Sequence, residues 1–197
     1  MRALQYEEYG DPEVLRVVDV AEPHAGPGQI RVAVKAVGIN PVDWKARSGR
    51  FKGRLPAITG SDVSGVVDEV GDGVTDVSIG GEVFGFALSG GAAQYALLRN
   101  YALKPAGMSF EEAAALPVPV ETAVRVLDML GLSPGKRLLI NAAAGGVGSA
   151  AVQLARAREL TVIGTASPNN HDYLRSLGAT PTTYGDGLAA RVKELAP

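Results

Sequence analysis

Residues 137–165, RLLINAAAGGVGSAAVQLARARELTVIGT, run an apolar strand into a Gly-rich turn, a helix and a second strand. That order is half of a dinucleotide-binding unit. The turn reads Ala142-x-x-Gly145-x-x-Gly148. Each small residue meets a steric demand: a tight bend, close approach of backbone N–H groups to a pyrophosphate, and close helix-to-strand contact. The helix that follows presents its positive end to phosphate oxygens. Residues 138–140 before the turn and the uncharged residues 147–155 after it supply the strand and helix that the motif requires. The backbone at Ala142, Ala144, Gly145, Gly146, Val147 and Gly148 is therefore the candidate diphosphate cradle.

Outward from this turn, the pattern predicts a strand over 137–141, a helix over 146–158, a strand over 161–165, a helix over 170–177, a strand over 182–184 and a helix starting near Gly187. Three parallel strands make one mononucleotide-binding half of a doubly wound sheet, and a fourth strand does not follow within the chain. Upstream, short β-branched runs at 14–20, 30–37, 63–70, 82–86 and 94–98 are separated by Gly and Pro clusters, which predicts a compact barrel or sandwich. Between the two halves, Ser109-Phe-Glu-Glu112 is a capping-box signature opening a helix that Pro117 and Pro119 are expected to stop. A second helix is expected over about 121–130, closed by Gly131 in a left-handed C-terminal cap.

Composition narrows the chemistry. The 197 residues carry a net charge of −2 with the two signs interspersed, and no basic stripe with interleaved aromatics recommends nucleic acid as a partner. The longest uncharged run, 138–155, contains Asn141, three glycines, Ser149 and Gln153, a poor choice for a membrane span. The chain enters a strand-like segment at 2–6 with no cleavable leader, so a cytoplasmic protein is expected. Zero cysteines exclude disulfides, thiol catalysis and Cys-ligated zinc, and two histidines leave little for any other zinc site. His24 lies in a turn-forming stretch, Glu-Pro-His-Ala-Gly-Pro-Gly, as an exposed loop residue.

Four stretches together resemble a known family: residues 38–49 (GINPVDWKARSG), 55–65 (LPAITGSDVSG), 104–117 (KPAGMSFEEAAALP) and the turn after Ile140. In that order they are similar to the zinc-free quinone oxidoreductase branch, relatives of zeta-crystallin, of the medium-chain dehydrogenase/reductase superfamily. The resemblance covers the whole chain. It implies an α/β protein with a GroES-like β-barrel lobe over residues 1–120, then a Rossmann doubly wound parallel sheet over 121–197, of which the first half is present. It further implies NADPH as cofactor, hydride transfer to a quinone or an α,β-unsaturated carbonyl, and a homodimer for full-length members. Zinc-dependent relatives place a Cys where this chain has Asn40 and a Gly-His-Glu where it has Gly60-Ser61-Asp62, so no zinc is expected. Catalysis must then rest on positioning and on hydrogen bonds to the developing oxyanion.

By resemblance, Asn40 lies beside the nicotinamide, while Asp43, Lys45 and Phe51 line the substrate side and Thr122 corresponds to a threonine near the nicotinamide. Lys45 and Phe51 depart from the tyrosines that many members carry there. Each residue also has a structural alternative: Asn40 opens a turn before Pro41, Asp43 is a hydrogen-bonded carboxylate, Lys45 is solvated, and Thr122 starts a helix. Ala142 stands where a glycine is commoner, which the turn tolerates if its φ is negative; Gly81 stands where an aspartate is usual and loosens a loop.

Cofactor choice follows from charge. An NAD enzyme places Asp or Glu at the end of the second strand to hold the ribose 2′-OH. This chain reads Gly164-Thr-Ala-Ser-Pro168, with Glu159 before the strand and Asp172 inside the next helix. NADPH is favoured, with Ser167 able to donate to a 2′-phosphate. By resemblance His171 occupies a position often held by a phosphate-binding lysine, and Tyr184 matches another phosphate-side residue; as a surface helix residue His171 needs no ligand. The alternative function is a truncated, noncatalytic NADPH-binding or partner-binding protein. It is suggested by Lys193-Glu-Leu-Ala-Pro197, where the sequence stops inside an apparently helical run.

Overall fold

A computed structural model describes residues 1–196. Two compact units divide the chain, the first spanning Met1–Val118 and the second beginning at Pro119. In the first, β1 (Arg2–Tyr6) pairs antiparallel with β2 (Arg16–Asp19) on one side and β4 (Ala57–Ile58) on the other. Strands β3 (Ile30–Gly38), β5 (Asp62–Val70), β6 (Glu82–Ala87) and β7 (Tyr95–Leu103) close into a barrel. Closure comes from β3, which pairs with both β5 and β7. Ile30, Val32, Val63, Val67, Val83, Ala96 and Leu98 fill the interior. Their even spacing within each strand follows from the two-residue period that sends alternate side chains to one face. β7 extends to Leu103, five residues past the predicted run, because Val83, Phe84 and Gly85 of β6 pair with Leu103, Ala102 and Tyr101.

Helix α1 (Pro41–Arg47) follows β3, and α2 (Phe110–Ala114) follows β7. The capping box at α2 forms as read: Glu112 N–H donates to Ser109 Oγ at 3.1 Å, and Ser109 N–H donates to Glu112 Oε2 at 2.8 Å. α2 ends at Ala114, before the prolines expected to stop it, but the second helix starts earlier than the expected 121. Helix α3 runs Pro117–Leu130 and takes both prolines into its first turn, where their missing N–H groups have no intrahelical acceptor to lose. Thr122 is consequently its sixth residue, and not the helix start that the sequence suggested. Gly131 closes α3 with φ +57°, the left-handed conformation a Cβ disfavours.

The second unit carries β8 (Arg137–Ile140), β9 (Thr161–Thr165) and β10 (Thr180–Thr182) as a parallel sheet in the order β10-β9-β8. Helix α4 (Gly146–Ala157) joins β8 to β9, and α5 (His171–Ser176), entered through a 3-10 turn over Pro168–Asn170, joins β9 to β10. Gly148, Val152 and Ala155 form the buried face of α4, at the spacing of one helical stripe. They pack into a core with Leu127, Ala143, Leu160, Val162 and Leu174. The last strand lies two residues before the predicted 182–184. Its register against β9, Thr180 opposite Ile163 and Thr182 opposite Thr165, fixes the position, and Pro181 is tolerated because β10 is an edge strand. Helix α6 (Leu188–Leu195) follows Gly187; Pro197, which ends the predicted helical run, lies outside the described residues. Among the described residues no helix is long and apolar enough to cross a membrane.

Candidate functional site

The turn after β8 is built from the C-terminal ends of two strands. Thr165, the buried last residue of β9, accepts the Ala142 N–H on Oγ1 at 3.0 Å and the Ala143 N–H on its carbonyl at 2.9 Å, and its hydroxyl donates to Asn141 Oδ1 at 3.3 Å. Ala142 adopts φ +52°. This corrects the expectation of a negative φ: the chain must reverse within two residues of the strand, and Ala142 takes a left-handed conformation at a cost of about 1 kcal/mol. Its carbonyl accepts the Gly145 N–H at 3.0 Å and closes the turn.

Gly145 caps α4 in extended backbone, and Gly146, Val147 and Gly148 form its first turn. Their N–H groups precede any intrahelical acceptor, and the helix dipole adds positive potential at that end. Gly145, Gly146 and Val147 are exposed. A Cβ at Gly146 would meet nothing nearer than Pro119 Cγ at 3.7 Å, so the space above the amides is open. Gly148 is different. A Cβ there would stand 2.3 Å from Ala142 O and 2.7 Å from Ala143 Cα, so the helix rests directly on the backbone of the turn. Ala144 is half-buried against the core.

Ser167 follows β9 and accepts Asn170 Nδ2 at 3.2 Å. His171 opens α5 with Nε2 at 3.3 Å from the Ala166 carbonyl. Tyr184, 65% exposed, lies two residues past β10. The turn, Ser167 and Tyr184 thus follow the carboxyl ends of three neighbouring parallel strands, the edge at which open α/β sheets bind ligands. Asp172 points into solvent, its side chain 96% exposed and paired with Arg175 at 2.5 Å. Glu159 lies before β9, in the turn that leaves α4. Thr122 is half-buried on α3, the helix that also carries Pro119.

In the first unit, Asn40 is the N-cap of α1, which the sequence reading treated only as a turn. Its backbone N–H donates to Asp43 Oδ2 at 2.7 Å, and Asp43 N–H donates to the Asn40 carbonyl at 3.0 Å. Ser61 Oγ donates to Asp43 Oδ1 at 3.3 Å. The Asn40 carboxamide reaches the other way, Nδ2 donating to Asp62 Oδ2 at 2.8 Å. Asp62 is fully buried, and both its oxygens accept the Val118 N–H at 3.1 Å. Burial pushes the Asp62 carboxyl above its ordinary value; the Asn40 and Val118 hydrogen bonds oppose that rise, and the charge of Asp43 adds to it. Two concavities flank this network. One of about 270 Å³ is lined mostly by apolar groups including Val37, Ile39 and Trp44, the other of about 230 Å³ includes Tyr6, Val42, Ser61 and Leu88, and Asp43 borders both.

Asn40 and Asp43 are therefore brought together, whereas Lys45 and Phe51 form a separate group and line neither concavity. Lys45 Nζ sits 5.6 Å from the Trp44 ring centroid and 6.0 Å from that of Phe51, and the Arg50 guanidinium sits 5.3 Å from Trp44. Sequence reasoning missed Asp62 and Thr165 as holders of the site. For Asp62 the signal was a carboxylate heading the buried half of a strand, Val63-Ser-Gly-Val-Val67; a strand-end threonine carries none. Among the described residues no group of three or more His, Cys, Asp or Glu could hold a metal ion.

Residues 26–118 match the alcohol dehydrogenase GroES-like domain. The chain is 41% identical to the 2-methylene-furan-3-one reductase of Solanum lycopersicum, over 91% of this chain and 50% of that protein. It resembles the solved Escherichia coli quinone oxidoreductase complexed with NADPH at a TM-score of 0.87 and 31% identity, covering 99% of this chain and 62% of that one. A solved NAD-dependent alcohol dehydrogenase is similar at a TM-score of 0.90 and 35% identity, with 100% of this chain and 67% of that one covered. The chain spans about half the length of the curated relatives it matches. A GroES-like barrel followed by half of a Rossmann sheet, with these likenesses along its length, makes the chain a member of the medium-chain dehydrogenase/reductase superfamily, similar to members named quinone oxidoreductase.

Proposed function

We propose that this chain carries the cofactor turn and the substrate-side groups of an oxidoreductase that moves a hydride from NADPH to a quinone or an α,β-unsaturated carbonyl without zinc. The observation that carries the reading is the first turn of α4, where Gly145, Gly146 and Val147 are exposed and a Cβ at Gly146 would meet nothing nearer than 3.7 Å. The amides of that turn suit a diphosphate. Ser167, His171 and Tyr184 suit a 2′-phosphate, because residues 166–171 after β9 carry no carboxylate and Asp172, the next acid, is paired with Arg175. When bound, the reduced nicotinamide supplies the hydride. Asn40, locked by Asp62 and by the α1 cap, orients the reacting groups, and Asp43 holds α1 in register through the Asn40 N–H. Zinc independence is supported by the donor set, since a carboxamide whose Nδ2 is committed to a buried carboxylate is a poor replacement for a thiolate ligand.

NADPH oxidation by the intact protein, measured over a panel of quinones and 2-enones in the presence of a chelator, tests the reading. Turnover that survives chelation is expected; tight NADPH binding with no turnover on any acceptor would leave a binding protein instead. Ser167→Asp places the missing carboxylate beside the ribose. It is expected to weaken NADPH binding about tenfold, equivalent to about 1.4 kcal/mol, while sparing NADH.

A further inference from the structure

Residues 45–54, KARSGRFKGR, hold five cations and no acid in a chain whose net charge is −2. Among the described residues none of the five pairs with a carboxylate. Glu7, Glu8 and Asp11 lie on the segment that Tyr9 and Gly10 tie to this loop, yet they make no ion pair with it. Tyr9 Oη donates to the Gly53 carbonyl at 2.7 Å and accepts the Gly53 N–H at 3.0 Å, while Arg47 Nη1 donates to the Gly10 carbonyl. The loop is also folded onto α1: Arg50 and Phe51 donate their N–H groups to the Lys45 carbonyl at 2.9 and 3.2 Å. The cations are thus held as a group on an ordered surface. Trp44 and Phe51 are 43% and 56% exposed, and Lys45 and Arg50 contact their rings.

We propose that this surface binds the phosphate-bearing end of the substrate, whose other end is the enone or quinone of the function proposed above. Five cations within ten residues and without a carboxylate partner give this surface a positive potential that an anion would neutralise. Cation–π contact fixes Lys45 and Arg50 while leaving their N–H donors free for phosphate oxygens. The exposed faces of Trp44 and Phe51 suit a flat ring carried on the same tail. Trp44 and Arg47 also line the apolar concavity beside Asp43, so the patch is continuous with a groove that takes the uncharged part of such a molecule. Only the identity of the reducible end rests on the functional reading; anion recognition rests on the loop.

Trp44 is the one tryptophan of the 197 residues, and the emission lost in Trp44→Phe isolates its signal. Without NADPH, the intact protein is titrated with crotonyl-coenzyme A and with the neutral S-crotonyl-N-acetylcysteamine, which share the same enone. Crotonyl-coenzyme A is expected to shift Trp44 emission at a concentration at least about tenfold lower, an advantage lost near 0.5 M salt and in Arg50→Gln/Lys52→Gln/Arg54→Gln. That variant must keep the parental unfolding temperature, and single substitutions at the same positions replace it if it does not. Equal response to both thioesters overturns the proposal, as does undiminished binding by the variant. Reproduction of the shift by inorganic phosphate at the same concentration, or a tighter response to single-stranded polyuridylate, also overturns it. A Trp44 response to crotonyl-coenzyme A with no NADPH oxidation on any acceptor removes the reductase reading and leaves anion binding; reduction of neutral quinones with no such response does the reverse.

Discussion

The two candidate sites handle their hydrogen bonds in opposite ways. Around Asn40 the polar groups close on one another: Ser61, Asp43, Asn40, Asp62 and the Val118 N–H form a chain of donors and acceptors, with Asp62 and Asn40 buried. Around Gly146 the first turn of α4 leaves its donors facing open space. A closed network fixes geometry, because each member left alone in the interior costs about 1–3 kcal/mol. An open set of donors waits for an acceptor from outside. The contrast separates groups that hold a site in shape from groups that hold a ligand.

The strongest way to break the contrast is at Gly148, where architecture and ligand contact coincide. Gly148→Val forces a Cβ into the Ala142 carbonyl and is expected to lower stability by about 3 kcal/mol, measured by urea unfolding, and to abolish NADPH binding. Asp62→Ala removes the acceptor from one buried and one half-buried donor and should cost about 2 kcal/mol without altering NADPH affinity of the folded protein. The same variant sharpens the comparison through pH. Because the folded-state pKa of Asp62 is raised, the native chain binds more protons than the unfolded one in the window above 3.8, so its contribution to stability falls as pH rises through the raised value. The advantage of the parent over Asp62→Ala should therefore shrink with rising pH; an advantage that grows would contradict the buried carboxylate described here. The smallest effect is expected at Ala142→Gly. Relief of φ +52° should stabilise the protein by about 0.5 kcal/mol, read as a rise in Tm of a few degrees, with the donors of α4 unchanged.

Legibility in the sequence followed the range of the forces involved. The 142–148 turn announced itself because its steric demands fall on neighbouring residues, and the barrel strands because alternation is local. What escaped depended on partners far along the chain. Asp62 acts on Asn40 and Val118, 22 and 56 residues away. The α1 cap is the exception: it joins Asn40 to Asp43 three residues on, a local signal that the turn before Pro41 masked. The prolines at 117 and 119, read as stops for α2, also form the first turn of α3, and the register of β10 against β9 decided a strand that β-propensity alone displaced by two residues. Positive φ at Ala142 was hidden too, since an alanine gives no hint of the conformation a glycine would have advertised.

The uneven charge of the barrel unit has a practical corollary. With a pI near 5.7 the protein is a net anion at neutral pH, yet the loop after α1 is strongly cationic. That one face is expected to hold the protein on heparin or a sulfonated resin under buffer conditions where its overall charge argues for repulsion.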